Sequence, residues 1–468
     1  KHPDAKIAMV AYNKSIATEL QEKVPAGVTA CTMHSLGFKA VRERYGKVKV
    51  DNWKTANIAE KLMGKRKWKG AGASFQMGLR KVVSLAKNTL LDWEEDYTRQ
   101  FNSLVAHYNL QLNGAEEAIK ALLPEVLQHS EDDVLENGII DFDDMIWLPT
   151  LSNCSVDTFD MLFVDEAQDL SPIQWKMVDI ITKNSKYIIL AGDDDQAIYG
   201  WAGADVKKFQ QKFSKKDIIL PQSYRVPLKV QDIADKILNL IPDDRRIKKQ
   251  WQARKEVGDV SYVCSLEDVP LDEGNWLVLA RYNDKLNRLK PFLKERGIYF
   301  EYKDRKSYKV TLFRTILNYI RWQKGELLSL SEVKDILECS GSNLKPTEEK
   351  MYDLTDLSYS KDTEWFDEFQ VDYEECLYIR EMLRMGEKLS KDARIKLSTI
   401  HAAKGGEADN VLLILDNTKT IRESAEKNED KADEENRVWY VGVTRTKQNL
   451  YIMSAKKEER GYDIESLG

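Results

Sequence analysis

Two apolar runs in this 468-residue chain end in acidic residues. Phe159-Asp160-Met161-Leu162-Phe163-Val164 leads into Asp165-Glu166-Ala167-Gln168-Asp169, and Tyr187-Ile188-Ile189-Leu190-Ala191 leads into Gly192-Asp193-Asp194-Asp195-Gln196. A strand that delivers adjacent Asp and Glu supplies what a nucleotide hydrolase needs. Asp165 can hold Mg²⁺ through its waters, and its neighbour Glu166 can polarise the attacking water. A plain solvated turn has the same pattern. Gln196 offers an amide to a terminal phosphate and stands five residues before Trp201. Glycines on both sides of Trp201 (Gly200, Gly203) suit an exposed turn on which Tyr199 and Trp201 stack bases, worth roughly 1–3 kcal/mol per base. Core packing is the other use of these two rings.

Two arginines stand out by their order behind those carboxylates. Arg225 lies in Gln222-Ser223-Tyr224-Arg225, and Arg445 closes Tyr440-Val441-Gly442-Val443-Thr444-Arg445. An arginine at a γ-phosphate stabilises transition-state charge, a contribution of about 10³–10⁵ in rate; read alone, each is an ordinary surface ion pair. Leu397-Ser398-Thr399-Ile400-His401-Ala402-Ala403-Lys404-Gly405-Gly406-Glu407 leaves a strand for a glycine-rich turn. Its small hydroxyls and amides can grip phosphates, and Glu407 can accept a ribose hydroxyl. His401 has no second histidine near it, so a metal site there is not expected.

These residues need strands to present them. Short β-rich runs at 7–11, 28–32, 161–164, 187–191 and 411–415 alternate with helix-length segments, a rhythm that predicts parallel sheets covered by helices. Such sheets place ligands at the carboxyl ends of their strands, where the acids and amides fall. Two helical stretches interrupt the rhythm: 39–138, with Trp53, Trp68 and Trp93 and no clear strand alternation, and the acidic, aromatic 325–390. Both read as inserts. The run 422–436 carries three basic and seven acidic residues and reads as a solvated loop.

Composition bounds the partners. At 42% hydrophobic and 32% charged the chain is neither disordered nor a small binding module. With 71 Lys and Arg against 77 Asp and Glu the net charge is −6, so nucleic-acid binding must come from local patches. One such patch is 39–69, with eleven basic and three acidic residues. Its densest cluster, Lys65-Arg66-Lys67-Trp68-Lys69, suggests a grip on phosphates with an aromatic inside it; a solvated helix face is the alternative. Five cysteines are scattered singly, which fits neither a disulfide framework nor a zinc site and suits a reducing cytoplasm. No apolar run approaches the ~20 residues of a membrane span.

With these residues in order, the sequence resembles the UvrD/Rep/PcrA family of superfamily 1 helicases over nearly its whole length. Val10-Ala11-Tyr12-Asn13-Lys14 looks like motif Ia, Thr32-Met33-His34-Ser35-Leu36 like Ib, and Ile140-Asp141-Phe142-Asp143-Asp144-Met145 like the DFDDL block. Residues 165–169, 192–204, 222–225, 399–407 and 435–445 look like motifs II to VI. The resemblance implies an α/β fold of two RecA-like parallel-sheet lobes with helical inserts, the P-loop NTPase helicase core. The first lobe would span 1–38 and 139–217 around a basic insert at 39–138. The second would span 218–324 and 391–468 around a reduced insert at 325–390. It further implies an ATP- and Mg²⁺-dependent motor that moves 3′ to 5′ on single-stranded DNA and acts at junctions of single and double strands. Such a motor is cytoplasmic in a bacterial or phage-infected cell, monomeric or weakly oligomeric, and works beside replication or repair proteins. By residue, it implies Asp165 on Mg²⁺, Glu166 as base, Gln196 as γ-phosphate sensor, and Arg225 and Arg445 as fingers. Tyr224 would stack on adenine, with Glu407 and Gly405 also at the nucleotide. On the DNA side it implies Asn13, Thr32, His34, Tyr199, Trp201, Arg281, Thr399 and His401.

The sequence departs from the family at four points. No G-x-x-x-x-G-K-[ST] loop occurs in the 468 residues, so the chain reads as one whose record begins after that loop, the rival being a non-catalytic DNA-binding module. Position 202 is Ala where the family usually carries Arg, which predicts altered coupling between γ-phosphate and DNA. In motif Ia the aromatic Tyr12 stands one position late, with Ala11 in the usual slot. The second insert is short, roughly 65 residues. A translocase that displaces proteins without unwinding is a further alternative.

Overall fold

The structure is a computed structural model that describes residues 5–11, 14–92, 96–151, 154–214, 216–357, 359–387, 392–455 and 461–464. The chain divides into two compact units. The first comprises Lys1–Leu220, Leu238–Lys249 and Ser424–Val438, and the second Pro221–Ile237, Gln250–Glu423 and Trp439–Gly468.

Strands of the first unit are β1 (Ile7–Ala11), β2 (Val28–Thr32), the two-residue β3 (Lys49–Val50) and β4 (Ile139–Ile140), β5 (Met161–Val164) and β6 (Tyr187–Leu190). Four of them form a parallel sheet in the order β2-β1-β5-β6. Ala8, Val10, Leu162 and Val164 alternate into a core shared with the helices, the period-2 signature of a pleated strand. β6 lies at the sheet's edge with Tyr187, Ile188 and Ile189 about half exposed. Helix Met33–Tyr45 starts at a capping box between Thr32 and Ser35 and presses on helix Asp144–Leu151. At Gly37 a Cβ would stand 1.8 Å from the Met145 carbonyl oxygen, so only glycine permits this approach.

The insert between β3 and β4 is helical as expected, apart from β3 itself, which at two residues is too short to show alternation. β3 and β4 pair in parallel at its base, joining Lys49 to Ile139 and Val50 to Ile140. Above them lies a buried ion cluster. Lys54 Nζ and Lys87 Nζ each reach one oxygen of Asp144 at 2.7 Å, and Lys87 also bonds Asp141 at 2.7 Å. Burial pushes the Asp144 carboxyl up, but the two ammonium groups outweigh it and hold it below the ordinary range. Removing one partner of such a buried set costs about 3–5 kcal/mol, because the remainder is left uncompensated.

The second unit holds β7 (Asp259–Val263), β8 (Trp276–Ala280), β9 (Phe300–Tyr302), β10 (Arg305–Lys306), β11 (Ile395–Thr399), β12 (Ala408–Ile414) and β13 (Thr446–Met453). Their order is β10-β9-β11-β8-β12-β13-β7, parallel throughout except for the β9–β10 pair. Central β8, Trp-Leu-Val-Leu-Ala, is buried at every position, as a strand covered on both faces must be. The short second insert packs Trp365 and Phe369 into an aromatic core shared with Tyr319 and Trp322 of the preceding helix Val310–Gln323.

The stretch 422–436 is not a loop. It belongs to helices Lys419–Lys427 and Glu429–Val443. Glu429 and Asp430 occupy the first turn of the second helix, where the macrodipole favours negative charge, and Arg245 binds Glu429, Asp430 and Asp433 at 2.7–2.8 Å. Those pairs join Leu238–Lys249 to Ser424–Val438, and Arg246–Asp195, Lys249–Asp193 and Lys207–Asp430 tie both stretches to the first unit, although sequence reading puts them in the second lobe. Among the described residues no helix is long and apolar enough to cross a membrane.

Candidate functional site

Both acidic turns of the first unit leave the same edge of the sheet. At the end of β5, Asp165 is exposed and its carboxylate accepts the Glu166 N–H at 3.0 Å. Glu166 adopts φ +53°, a left-handed conformation that costs a non-glycine residue roughly 1–2 kcal/mol and turns the chain sharply out of the strand. The fully buried Gln168 donates from Nε2 to the Glu166 carboxylate at 2.5 Å and accepts the Asp193 N–H on Oε1 at 3.0 Å. One amide therefore ties the two turns together. The sequence pattern alone gives Gln168 no role; its place within Asp165-Glu166-Ala167-Gln168-Asp169 is the one signal it carries.

After β6 the same device is closed. The carboxylates of Asp193, Asp194 and Asp195 lie within 4.8 Å of one another, a spacing that could hold a metal. The cation among them is Lys249, which bonds Asp193 at 2.6 Å, Asp195 at 3.1 Å and also Asp194. Arg246 binds Asp195 through two bonds of 2.8 and 2.9 Å. Burial opposes charge on Lys249, yet the three carboxylates win and raise its pKa. Lys249 and Arg246 were not singled out from the sequence; the basic run Arg245-Arg246-Ile247-Lys248-Lys249 was the visible signal. Asp193 also accepts from Gln196 Nε2 at 2.8 Å, which fixes the direction of that amide.

Five residues on, Trp201 is 49% exposed. Its turn is held at both backbone groups by charged side chains. Glu434 accepts the Trp201 N–H at 3.1 Å, and Lys81 donates to the Trp201 carbonyl at 2.9 Å. Tyr199, half-buried, lies 6.5 Å from the indole at 57° between planes. Both rings line a cavity of about 980 Å³ that also receives Thr32, His34 and Phe142. His34 stacks on Phe142 with centroids 4.0 Å apart and 24° between planes. Burial lowers the His34 pKa to about 4, against a smaller opposing pull from Asp143, so the imidazole is neutral at physiological pH. Phe142, 55% exposed, is a stacking surface that sequence reading passed over inside the quoted block. Thr32 is the helix cap, accepting the Ser35 N–H at 3.2 Å.

Two expected DNA contacts need comment. Trp68 is 6% exposed and packs edge-on against Phe75, so its ring belongs to the insert core and cannot stack a base. Its position on the inward face of helix Lys65–Gly70 is what buries it, while Lys65, Arg66 and Lys67 stay exposed. Asn13 and Tyr12 lie outside the described residues.

In the second unit the structure brings two expected residues together. Arg225 Nε bonds Glu407 at 2.7 Å and Lys447 joins the same carboxylate at 3.2 Å. The hydrogen bond from Arg225 is the main cause holding the Glu407 carboxyl below its ordinary value. Tyr224 is 88% exposed, an uncovered ring. Gly405, at φ +84°, lets the chain turn before Glu407. Arg445 is buried, donating to the carbonyls of Val441 at 2.9 Å and Gly406 at 3.4 Å. Thr399 and His401 sit at the end of β11, where the Thr399 hydroxyl accepts the Ala402 N–H at 3.3 Å. Arg281 follows β8, half-buried.

Known protein families match most of the chain. Residues 3–217 match the UvrD/REP helicase N-terminal domain and residues 326–457 the UvrD-like helicase C-terminal domain. The chain belongs to the UvrD/Rep helicase family. A UvrD/Rep member is a DNA helicase and an ATPase, and the parallel sheets described above are its RecA-like lobes. Similar proteins include a probable DNA helicase II homolog of Rickettsia felis, 25% identical over 72% of this chain and 68% of that protein. Another is the ATP-dependent DNA helicase PcrA of Leuconostoc citreum, 26% identical over 42% of this chain and 26% of that protein.

The UvrD/Rep assignment raises the question of Mg²⁺. Asp165 fits, being an exposed hard oxygen donor at a strand end. The triple-Asp turn does not, because Lys249 already occupies the space between its carboxylates and Arg246 holds Asp195.

Proposed function

We propose that this chain is the motor of an ATP-hydrolysing translocase that moves 3′ to 5′ along single-stranded DNA and opens duplexes ahead of it. One juxtaposition carries the reading. Within a single unit, residues 193–201 run from the Gln196 amide, oriented beside the Glu166 turn, to the indole at an aromatic-lined cavity. A change felt at Gln196 thus has a five-residue path to a surface that stacks bases.

Glu166, steadied by Gln168, takes the proton of the attacking water. Asp165 would hold Mg²⁺, which when bound offsets charge on the phosphates. In the second unit Tyr224 offers its exposed face to adenine, while Arg225 and Arg445 stabilise the charge that develops at the γ-phosphate. Each arginine must first exchange a partner: Arg225 leaves Glu407, and Arg445 leaves backbone carbonyls. Thr399, His401 and Arg281 lie at strand ends suited to backbone contacts, and the exposed Lys65, Arg66 and Lys67 suit duplex phosphates.

The test uses a form carrying a phosphate-binding loop ahead of Lys1. Glu166→Gln should bind ATP and single-stranded DNA but hydrolyse ATP far more slowly, and near-normal turnover overturns the assignment of the base. Strand displacement on duplexes with a 3′ or a 5′ tail decides direction, and displacement of a bound protein in parallel separates unwinding from clearing.

A further inference from the structure

The insert helix Gly72–Thr89 sends Lys81, Ser84 and Asn88, spaced three and four apart on one face, into the wall of the aromatic cavity. Lys81 Nζ lies 4.8 Å from the centroid of the Trp201 ring while donating to the Trp201 carbonyl. An ammonium group has three donors, and among the described residues this one uses a single hydrogen bond. Two donors remain at a cavity lined by Tyr199, Trp201, His34 and Phe142. A base stacked on those rings brings its phosphate with it, and a phosphate is what a half-buried ammonium at such a platform would take. No side-chain cation exists on the turn itself, since position 202 is alanine and lines the same cavity. Burial lowers the Lys81 pKa against an opposing pull from Asp143, and an anion bound at the ammonium favours its charged form.

We propose that Lys81 is a DNA-phosphate ligand supplied by the insert, which takes over at the Trp201 platform the cationic role that Ala202 cannot perform. The inference rests on the reading of this cavity as the single-strand site. It makes the insert part of the strand-binding surface through a named atom.

The test measures binding of a fluorescein-labelled oligothymidylate to the 468-residue chain by anisotropy, from 50 to 300 mM salt. Lys81→Gln should weaken binding about three- to tenfold at low salt and reduce the slope of log K against log salt by about 0.7, the loss of one phosphate contact on a single strand. Lys81→Arg should keep both, and Ala202→Arg in the Lys81→Gln background should restore the slope. Thermal melting of each variant confirms folding, and Lys81→Arg tests charge in a side chain of similar reach. Wild-type protein that fails to bind the oligonucleotide overturns the reading of the cavity itself. Wild-type binding with an unchanged slope in Lys81→Gln overturns only the role of Lys81, and a lower affinity at unchanged slope reduces it to a prop for the indole.

Discussion

The turn after β5 and the turn after β6 are each delivered by a four-residue strand of the same parallel sheet, yet Asp165 is exposed while Asp194 and Asp195 are wholly buried. The second turn has three carboxylates and two cations packed on it. At the first, Gln168 donates to Glu166 and Asp165 is exposed. Strand-end acids are thus a common starting point, and what the rest of the chain packs against them decides whether they act or hold. Under the proposed reading, an exposed acid suits Mg²⁺ and a neighbour steadied by an amide suits proton transfer. An acid that is to orient Gln196 works better with a resident cation.

The largest expected effect separates the two turns by activity. Glu166→Gln should cut ATP hydrolysis by about 10²–10⁴-fold with little change in melting temperature. If steady-state turnover falls less than tenfold, the open turn is not the catalytic one. The converse change is Lys249→Met, which leaves three neighbouring carboxylates short of one cation and should destabilise the first unit by about 3–5 kcal/mol in urea denaturation. The sign of its pH dependence follows from linkage. Without Lys249 the folded-state carboxyl pKa values rise above their unfolded values, so the deficit should be largest near pH 7 and shrink as pH falls toward 4. A deficit that grows on acidification contradicts the closed turn.

Gln168→Met probes the link. It leaves the Asp193 N–H without its Gln168 acceptor, a loss of about 1–3 kcal/mol, and removes the Gln168 bond to the Glu166 carboxylate. Hydrolysis should drop severalfold while DNA affinity stays within twofold. The smallest effect concerns His34, whose folded pKa of about 4 lies below its unfolded value near 6.5. The unfolded chain therefore binds more protons between those values, and the stability contributed by neutral His34 is complete above pH 6.5 and lost as pH falls toward 4. His34→Phe should remove that acid sensitivity, read as a flatter melting temperature between pH 7 and 5.

Strands were the most legible part of the fold. β1, β2 and β5 fall on the residues their apolar runs predict, and β12 extends three residues upstream of 411, because its polar Ala-Asp-Asn start pairs with β13 without an apolar signature. Helical inserts were legible by period, but not the inward turn of Trp68, since a lone tryptophan among lysines reads as exposed until its helix phase is known. The acidic run 422–436 misled for a related reason. Its charge predicts solvation, whereas Asp433 is buried because Arg245, nearly two hundred residues earlier, folds onto it. Gln168, Lys249 and Lys81 share that difficulty. Each acts through a partner distant in sequence, and a single sequence records side chains but not their pairings.

The ribbon of β3 and β4 has a consequence for how the chain folds. β1 must pair with β5 about 150 residues downstream, and a contact of that separation is slow to close because chain entropy opposes it. Once Lys49 and Val50 have zipped to Ile139 and Ile140, the whole insert drops out of that loop, and the distance the chain must search shrinks by more than half. With the insert closed at its base by that parallel pair, the sheet that carries the acidic turns closes over a far shorter span.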